Sequence, residues 1–199
     1  MKKAAIVLSQ KFKRMLPSDF VIAADEGYLR ALENKIRPDL VVGDMDSLGF
    51  VPKDIDVLTV QAEKDFSDGE LAIREAILRN YFFIDIYGGW GGRPDHSLYN
   101  LHLLKLARDL GATAVLRGDD FDLYYLDGNL FLDVTAGDVL SIVPFSETVH
   151  IIKAKGLKYP ADGAVLTKSD TLGLSNECTE NSVFVSVKEG SALLYHKFG

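Results

Sequence analysis

Acidic residues recur in the first half of this chain wherever a short apolar, β-branched run ends. Phe20–Ala24 runs into Asp25, and Leu40–Gly43 into Asp44-Met45-Asp46-Ser47. Val57–Val60 leads to Lys64-Asp65-Phe66-Ser67-Asp68, and Phe82–Tyr87 to Gly88-Gly89-Trp90-Gly91-Gly92-Arg93-Pro94-Asp95-His96. Carboxylates gathered in one place repel each other unless a cation or protons neutralise them. Hard oxygen ligands suit Mg²⁺, which takes one or two carboxylates together with substrate phosphates. If the four runs are neighbouring parallel strands, each acid lies beyond a strand's carboxyl end, where open α/β sheets bind ligands. The residue types and their spacing therefore point to a metal–nucleotide site.

Each motif has a plainer reading that sets its weight. Asp44 and Asp46 share a face if extended and can still converge in a turn, but Asp also ends strands simply by bonding nearby backbone. Asp68 falls in the first turn of a predicted helix, where the helix dipole alone stabilises an acid. Asp65 precedes the cap and lacks that explanation, so it is the more diagnostic of the pair. Lys64 reads equally as a surface lysine or a phosphate contact. Glycines at 88, 89, 91 and 92 let backbone N–H groups approach phosphate or let a loop move, without the Gly-Lys-Ser/Thr of a P-loop. Arg93 adds a planar fork for phosphate. His96 reads as capping or packing rather than as chemistry. Asn100, one turn further along the helix, is placed to tie the loop down. Trp90 fits either stacking on a flat ligand or anchoring its loop.

The elements that must position these residues follow from periodicity. Ala4–Leu8 reads as the first strand rather than as a signal peptide, its apolar core being too short. Ser67 and Glu70 form a Ser-x-x-Glu capping box for a helix running to Arg79, with Leu71, Ala72, Ala76 and Ile77 on one face and Asn80 as a left-handed stop. A second helix starts near Pro94 and stops at Gly111, with an apolar face of Leu98, Leu101, Leu104 and Leu106. Strands alternating with such helices predict a parallel sheet over residues 1–120. After Asp120 the helical period disappears. Runs at Phe121–Leu126, Leu130–Val134, Val139–Val143, Thr148–Lys153, Val183–Lys188 and Ala192–His196, several separated by turn residues, predict a smaller antiparallel β-sandwich over 121–199. The fold class is thus α/β followed by all-β, with a tight junction.

Composition narrows the function. The 199 residues carry a net charge of −7, which argues against a nucleic-acid surface. No run approaches a membrane span. Cys178 is the only cysteine, so no internal disulfide or thiolate metal site can form, which fits a reducing cytoplasm.

Taken together, Gly43-Asp44-x-Asp46-Ser47, Lys64-Asp65-x-Ser67-Asp68-x-Glu70, Gly91-Gly92-Arg93-x-Asp95-His96-x-Leu98-x-Asn100, and Gly156-Leu157-Lys158-Tyr159-Pro160 followed by Gly173-Leu174-Ser175-Asn176-Glu177 resemble the thiamine pyrophosphokinase family in type and order. The resemblance implies a homodimer that transfers pyrophosphate from ATP to the hydroxyethyl group of thiamine, with Mg²⁺, giving thiamine diphosphate and AMP. It implies metal ligation by Asp44, Asp46, Asp65 and Asp68. It also implies ATP contacts through Asp25, Lys64, Asp65, Gly91, Gly92 and Arg93, and thiamine contacts through Asp95, Ser175 and Asn176. Asp46, Asp68, Arg93 and Asp95 are the expected catalytic set; whether Asp95 or a metal-bound acid takes the hydroxyl proton stays open. Ser67 stands where the family often has Thr, and Asp25-Glu26-Gly27 where it usually has Asp-Gly-Gly. A pyrophosphokinase for another hydroxyalkyl heterocycle such as a pterin, or a non-catalytic thiamine or nucleotide sensor, are the alternatives.

Overall fold

Continuous Ala/Val/Ile runs are what strands buried on both faces require, and those of the first half become such strands. The computed structural model describes residues 2–60 and 65–199, so Lys64 lies outside the described residues. Two units separate at Asp119/Asp120.

In the first unit, β1 (Lys3–Val7), β2 (Phe20–Ala24), α1 (Gly27–Glu33), β3 (Leu40–Gly43), β4 (Asp56–Thr59), α2 (Asp68–Leu78), β5 (Phe83–Tyr87), α3 (Pro94–Asp109) and β6 (Thr113–Arg117) follow in chain order. The strands pair in the order β6-β5-β1-β2-β3-β4, all parallel. Connections run outward in opposite directions from the adjacent β1 and β5, which makes their carboxyl ends the switch point of the sheet. Ala4 through Val7, Ile22, Val41 and Ile86 are buried at its centre.

The helices stop and start where local chemistry says they should. The Ser67 hydroxyl accepts the Glu70 N–H at 3.2 Å, which caps α2. The reciprocal half of the box is absent, because the Glu70 carboxylate pairs with Arg74 one turn on. Asn80 (φ +65°) and Gly111 (φ +82°) end α2 and α3 in the left-handed region. The apolar face expected on α3 is rotated: Leu98 is 60% exposed, while Ser97, Leu103, Leu104 and Ala107 are buried. Leu104 is buried as expected, Leu101 and Leu106 are half-buried, and Leu103 replaces Leu98 on the core face, because helix position relative to the sheet, not leucine count, selects the stripe.

The second unit contains β7 (Phe121–Leu126), β8 (Asn129–Asp133), β9 (Val139–Pro144), β10 (Thr148–Lys155), β11 (Val165–Thr167), β12 (Asn176–Glu177), β13 (Ser182–Glu189) and β14 (Ala192–Lys197). They form two antiparallel sheets, β12-β9-β14-β7 and β11-β10-β13-β8. Leu126, Leu140 and Leu194 from one sheet and Val149, Leu166 and Val185 from the other share one apolar core. β11 and β12 escaped the sequence reading because two or three residues carry no period. No helix among the described residues is long and apolar enough to cross a membrane.

Candidate active site

Three strand or helix ends deliver three carboxylates to one point. Asp25 follows β2, Asp44 follows β3, and Asp68 opens α2; one carboxylate oxygen from each lies within 4.8 Å of the other two. Asp25 is 7% exposed and its Oδ1 has no hydrogen-bond partner among the described residues. It also holds a left-handed backbone (φ +44°), with its N–H tied to the Val42 carbonyl at 2.8 Å. A buried, unpaired carboxylate oxygen is costly, and strain of this kind gathers at functional sites. Gly43 makes the convergence possible. A Cβ there would stand 3.1 Å from Asp68 Oδ1 and 3.2 Å from Asp25 Cβ, and its φ is +140°.

The residues fit a divalent cation: three hard carboxylate ligands close together, one of them buried with an orphaned oxygen. The expected set of Asp44, Asp46, Asp65 and Asp68 is only partly gathered. Among the described residues the converging trio takes Asp25, whereas Asp46 and Asp65 are outside it. Asp46 still lines the same cleft, since the left-handed Met45 (φ +63°) turns its own side chain into the core and leaves Asp44 and Asp46 on the other side. Asp65 is exposed and lines a neighbouring cavity of about 490 Å³ with Phe66, Asp95, His96 and Tyr99.

The acid cleft, about 440 Å³, is lined by Ser9, Gln10, Asp25, Glu26, Asp44, Asp46, Ser47, Ser67, Asp68, Arg93, His96 and Asn100 among others. The first residues of α2 and α3 both reach it, so two positive helix ends offset its carboxylates and favour a phosphate. Glu26 is drawn aside by an ion pair with Arg30, and Gly27 seats α1 against β1, where a Cβ would meet the Val7 carbonyl oxygen at 2.0 Å.

The glycine loop is anchored by α3. Asn100 Nδ2 donates to the Gly89 carbonyl at 2.9 Å, as its position one turn past His96 suggested. Ser97, which the sequence reading passed over, adds a second clamp: its Oγ accepts the Gly91 N–H at 3.0 Å and lies 3.0 Å from the Gly91 carbonyl. His96, expected to cap or pack, is exposed, makes no side-chain cap bond and lines the cleft. Arg93 donates from Nε and Nη2 to the two carboxylate oxygens of Asp95, at 3.1 and 2.6 Å. That bond first, aided by the His96 N–H and the positive charge of Arg93, holds the Asp95 carboxyl down at about 2 and raises the guanidinium further.

In the second unit, Ser175 is exposed at φ +55°, its N–H held by Ser141 Oγ at 2.9 Å. The Asn176 amide is committed within the unit. It brackets the Tyr159 backbone, accepting its N–H at 3.0 Å and donating to its carbonyl at 2.8 Å.

The model of the thiamin pyrophosphokinase catalytic domain matches residues 13–116, and that of the thiamin pyrophosphokinase vitamin B1 binding domain matches residues 130–192. A thiamine pyrophosphokinase of Bacillus subtilis is 29% identical over 189 residues, 87% of this chain and 85% of that protein. Its kind also resembles the chain in space. The crystal structure of thiamine pyrophosphokinase from Bacillus subtilis superposes with a TM-score of 0.86 over the whole of both chains at 23% identity. That from Geobacillus thermodenitrificans gives 0.84 at 25% identity, covering 99% of this chain and 98% of the other. The fold extends to the enzyme of Candida albicans, with TM-score 0.83 at 15% identity, covering all of this chain and 89% of that one. With the catalytic-domain model alone spanning more than half the sequence, the chain belongs to the thiamin pyrophosphokinase family.

Proposed function

We propose that the acid cleft of the first unit is where this chain transfers pyrophosphate from ATP to thiamine, giving thiamine diphosphate. The observation that carries the reading is the trio Asp25, Asp44 and Asp68, with its buried unpaired oxygen, at the mouth of two helix N-termini and beside Arg93. Asp25, Asp44 and Asp68 would hold Mg²⁺, with Asp46 lining the same cleft and Asp65 the cavity beside it. When bound, the ion supplies positive charge against the phosphates. Transfer of a phosphoryl-type group depends on positioning and on neutralising charge. Arg93 leaves Asp95 and sets its fork against phosphate oxygens, while Gly91 and Gly92 let the loop backbone come close. Asp95, freed by that step, orients the thiamine hydroxyl. Away from Arg93 its carboxyl returns toward the ordinary value near 3.9, which still makes it a weak proton acceptor at neutral pH, so positioning is its better role. Lys64 stands beside this set in sequence as a phosphate contact.

Thiamine recognition is assigned to the second unit, where the vitamin B1 binding match covers Ser175 and Asn176. Ser175 offers the free hydroxyl; Asn176 shapes the segment through Tyr159. A homodimer and a cytoplasmic setting complete the reading. Incubating the protein with Mg-ATP and thiamine tests it: AMP and thiamine diphosphate are expected in equal amounts. ADP in place of AMP, or no reaction with thiamine while a pterin substrate is used, would overturn it.

A further inference from the structure

The turn after β1, Ser9-Gln10, lies in the acid cleft and carries none of the roles given above. It sits at the carboxyl ends of β1 and β5, the switch point of the sheet. Three hydrogen bonds fix it: Gln10 N–H to the Gly88 carbonyl at 3.0 Å, Leu8 N–H to the Tyr87 carbonyl at 2.8 Å, and Arg30 Nε–H to the Ser9 carbonyl at 2.8 Å. The Gln10 side chain then lies flat on Gly92. A Cβ at Gly92 would stand 2.2 Å from Gln10 Oε1 and 2.7 Å from Nε2, and Gly92 has φ +62°. The missing side chain at Gly92 is therefore room for the Gln10 amide. Among the described residues Nε2 makes one long bond, 3.3 Å to Ser9 Oγ, and a primary amide has two N–H groups to donate.

A phosphate entering this cleft meets the carboxylates of Asp25, Asp44, Asp46 and Asp68 and needs donors to offset them. A lysine at position 10 would pair with those acids, and an acid would repel the phosphate. A neutral amide does neither. We propose that the Gln10 amide is a phosphate-binding group, donating Nε2–H to a phosphoryl oxygen of the nucleotide, with Gly92 as the cradle that aims it. This rests on the cleft being the nucleotide site.

Gln10→Met keeps the length and removes the donor; Gln10→Glu keeps the shape and adds charge. Thermal melting confirms that each is folded, and calorimetric titration with Mg-ATP is run beside steady-state kinetics. Gln10→Met is expected to weaken both the Mg-ATP Kd and the ATP KM by about tenfold, with the thiamine KM within about twofold, as loss of one good hydrogen bond predicts. Gln10→Glu is expected to lose more. Unchanged Mg-ATP affinity in a folded Gln10→Met protein overturns the proposal, as does an equal rise in both KM values, which would mark general loop disorder. Gly92→Ala is expected to mimic Gln10→Met, and the double variant to be no worse than the weaker single; additive losses overturn the cradle. If wild-type protein binds Mg-ATP yet forms no AMP, the transferase reading falls while the Kd comparison still judges Gln10.

Discussion

At the scale of single residues, Asp25 departs most from an ordinary strand-end acid: it is buried, left-handed and has an unpaired oxygen. In the metal-free protein three close carboxylates repel one another, so neutralising one relieves the repulsion and removes a ligand together. Asp25→Asn is expected to melt at the same or a higher temperature than wild type without Mg²⁺, and to lose the rise that Mg²⁺ gives. That rise amounts to roughly 2.7 kcal/mol at a hundredfold excess over Kd, well within reach of a melting curve. A variant that still gains fully from Mg²⁺ would take Asp25 out of the site. Arg93 and Asp95 make a second residue-scale test. The Arg93 hydrogen bond is the main reason the Asp95 carboxyl sits at about 2. Arg93→Gln should therefore bring it up toward the ordinary value near 3.9, measurable by carboxyl NMR titration; an Asp95 that does not move would mean the pair is not formed in solution.

At the scale of elements, the start of α2 serves two purposes that mutation separates. Ser67 caps the helix, whereas Asp68 both complements its dipole and joins the trio. Ser67→Ala is expected to cost about 1 kcal/mol of stability with the Mg²⁺ requirement little altered. Asp68→Asn should cost less than about 1 kcal/mol and raise the Mg²⁺ requirement sharply. Melting temperature and Mg²⁺ dependence measured on the same preparations distinguish the two, and a swap of the outcomes would assign Asp68 to the helix alone. The cap was legible in the sequence because it acts over three residues. The stripe of α3 was not: Leu98 fits the helical period as well as Leu104 does, and only the helix's seating over the sheet buries one and exposes the other.

At the scale of the whole molecule, each unit carries a buried charge that no motif announced. In the first, Asp85 on β5 is 2% exposed and pairs with Lys3 and Arg117, both at 2.7 Å, from the strands on either side. In the second, buried Asp138 binds His196 Nε2 at 2.7 Å and accepts the Thr135 and Gly199 N–H groups. Burial by itself would raise the Asp138 carboxyl; the His196 hydrogen bond and the two backbone donors outweigh it and leave it lowered. A lowered native value means the contribution is fully present above the unfolded carboxyl's value, about 3.9, and is lost as pH falls through the native one. Stability should thus drop on acidification below about pH 4. Asp138→Asn should flatten that part of the profile and cost about 1–3 kcal/mol at neutral pH, read from denaturant unfolding at several pH values. An unchanged acid slope would remove Asp138 as its source.

The sequence by itself determined what hydrogen bonding and periodicity dictate within a few residues: the strand runs, the Ser67 cap, the stops at Asn80 and Gly111, the change from helical to antiparallel grammar at Asp120, and the clustering of acids after strands. Asn100's tie to the glycine loop belongs there too, because its partners lie close in sequence. The tertiary structure decided which of those acids meet. Asp25, Asp44 and Asp68 come from three separate segments, and their convergence depends on β2 lying beside β3 and on Gly43 leaving space between them. The seating of Gln10 on Gly92 depends in the same way on β1 lying beside β5. Strand order is chosen by burying whole sheet faces, a free energy spread over the core, so no short stretch of sequence can encode it.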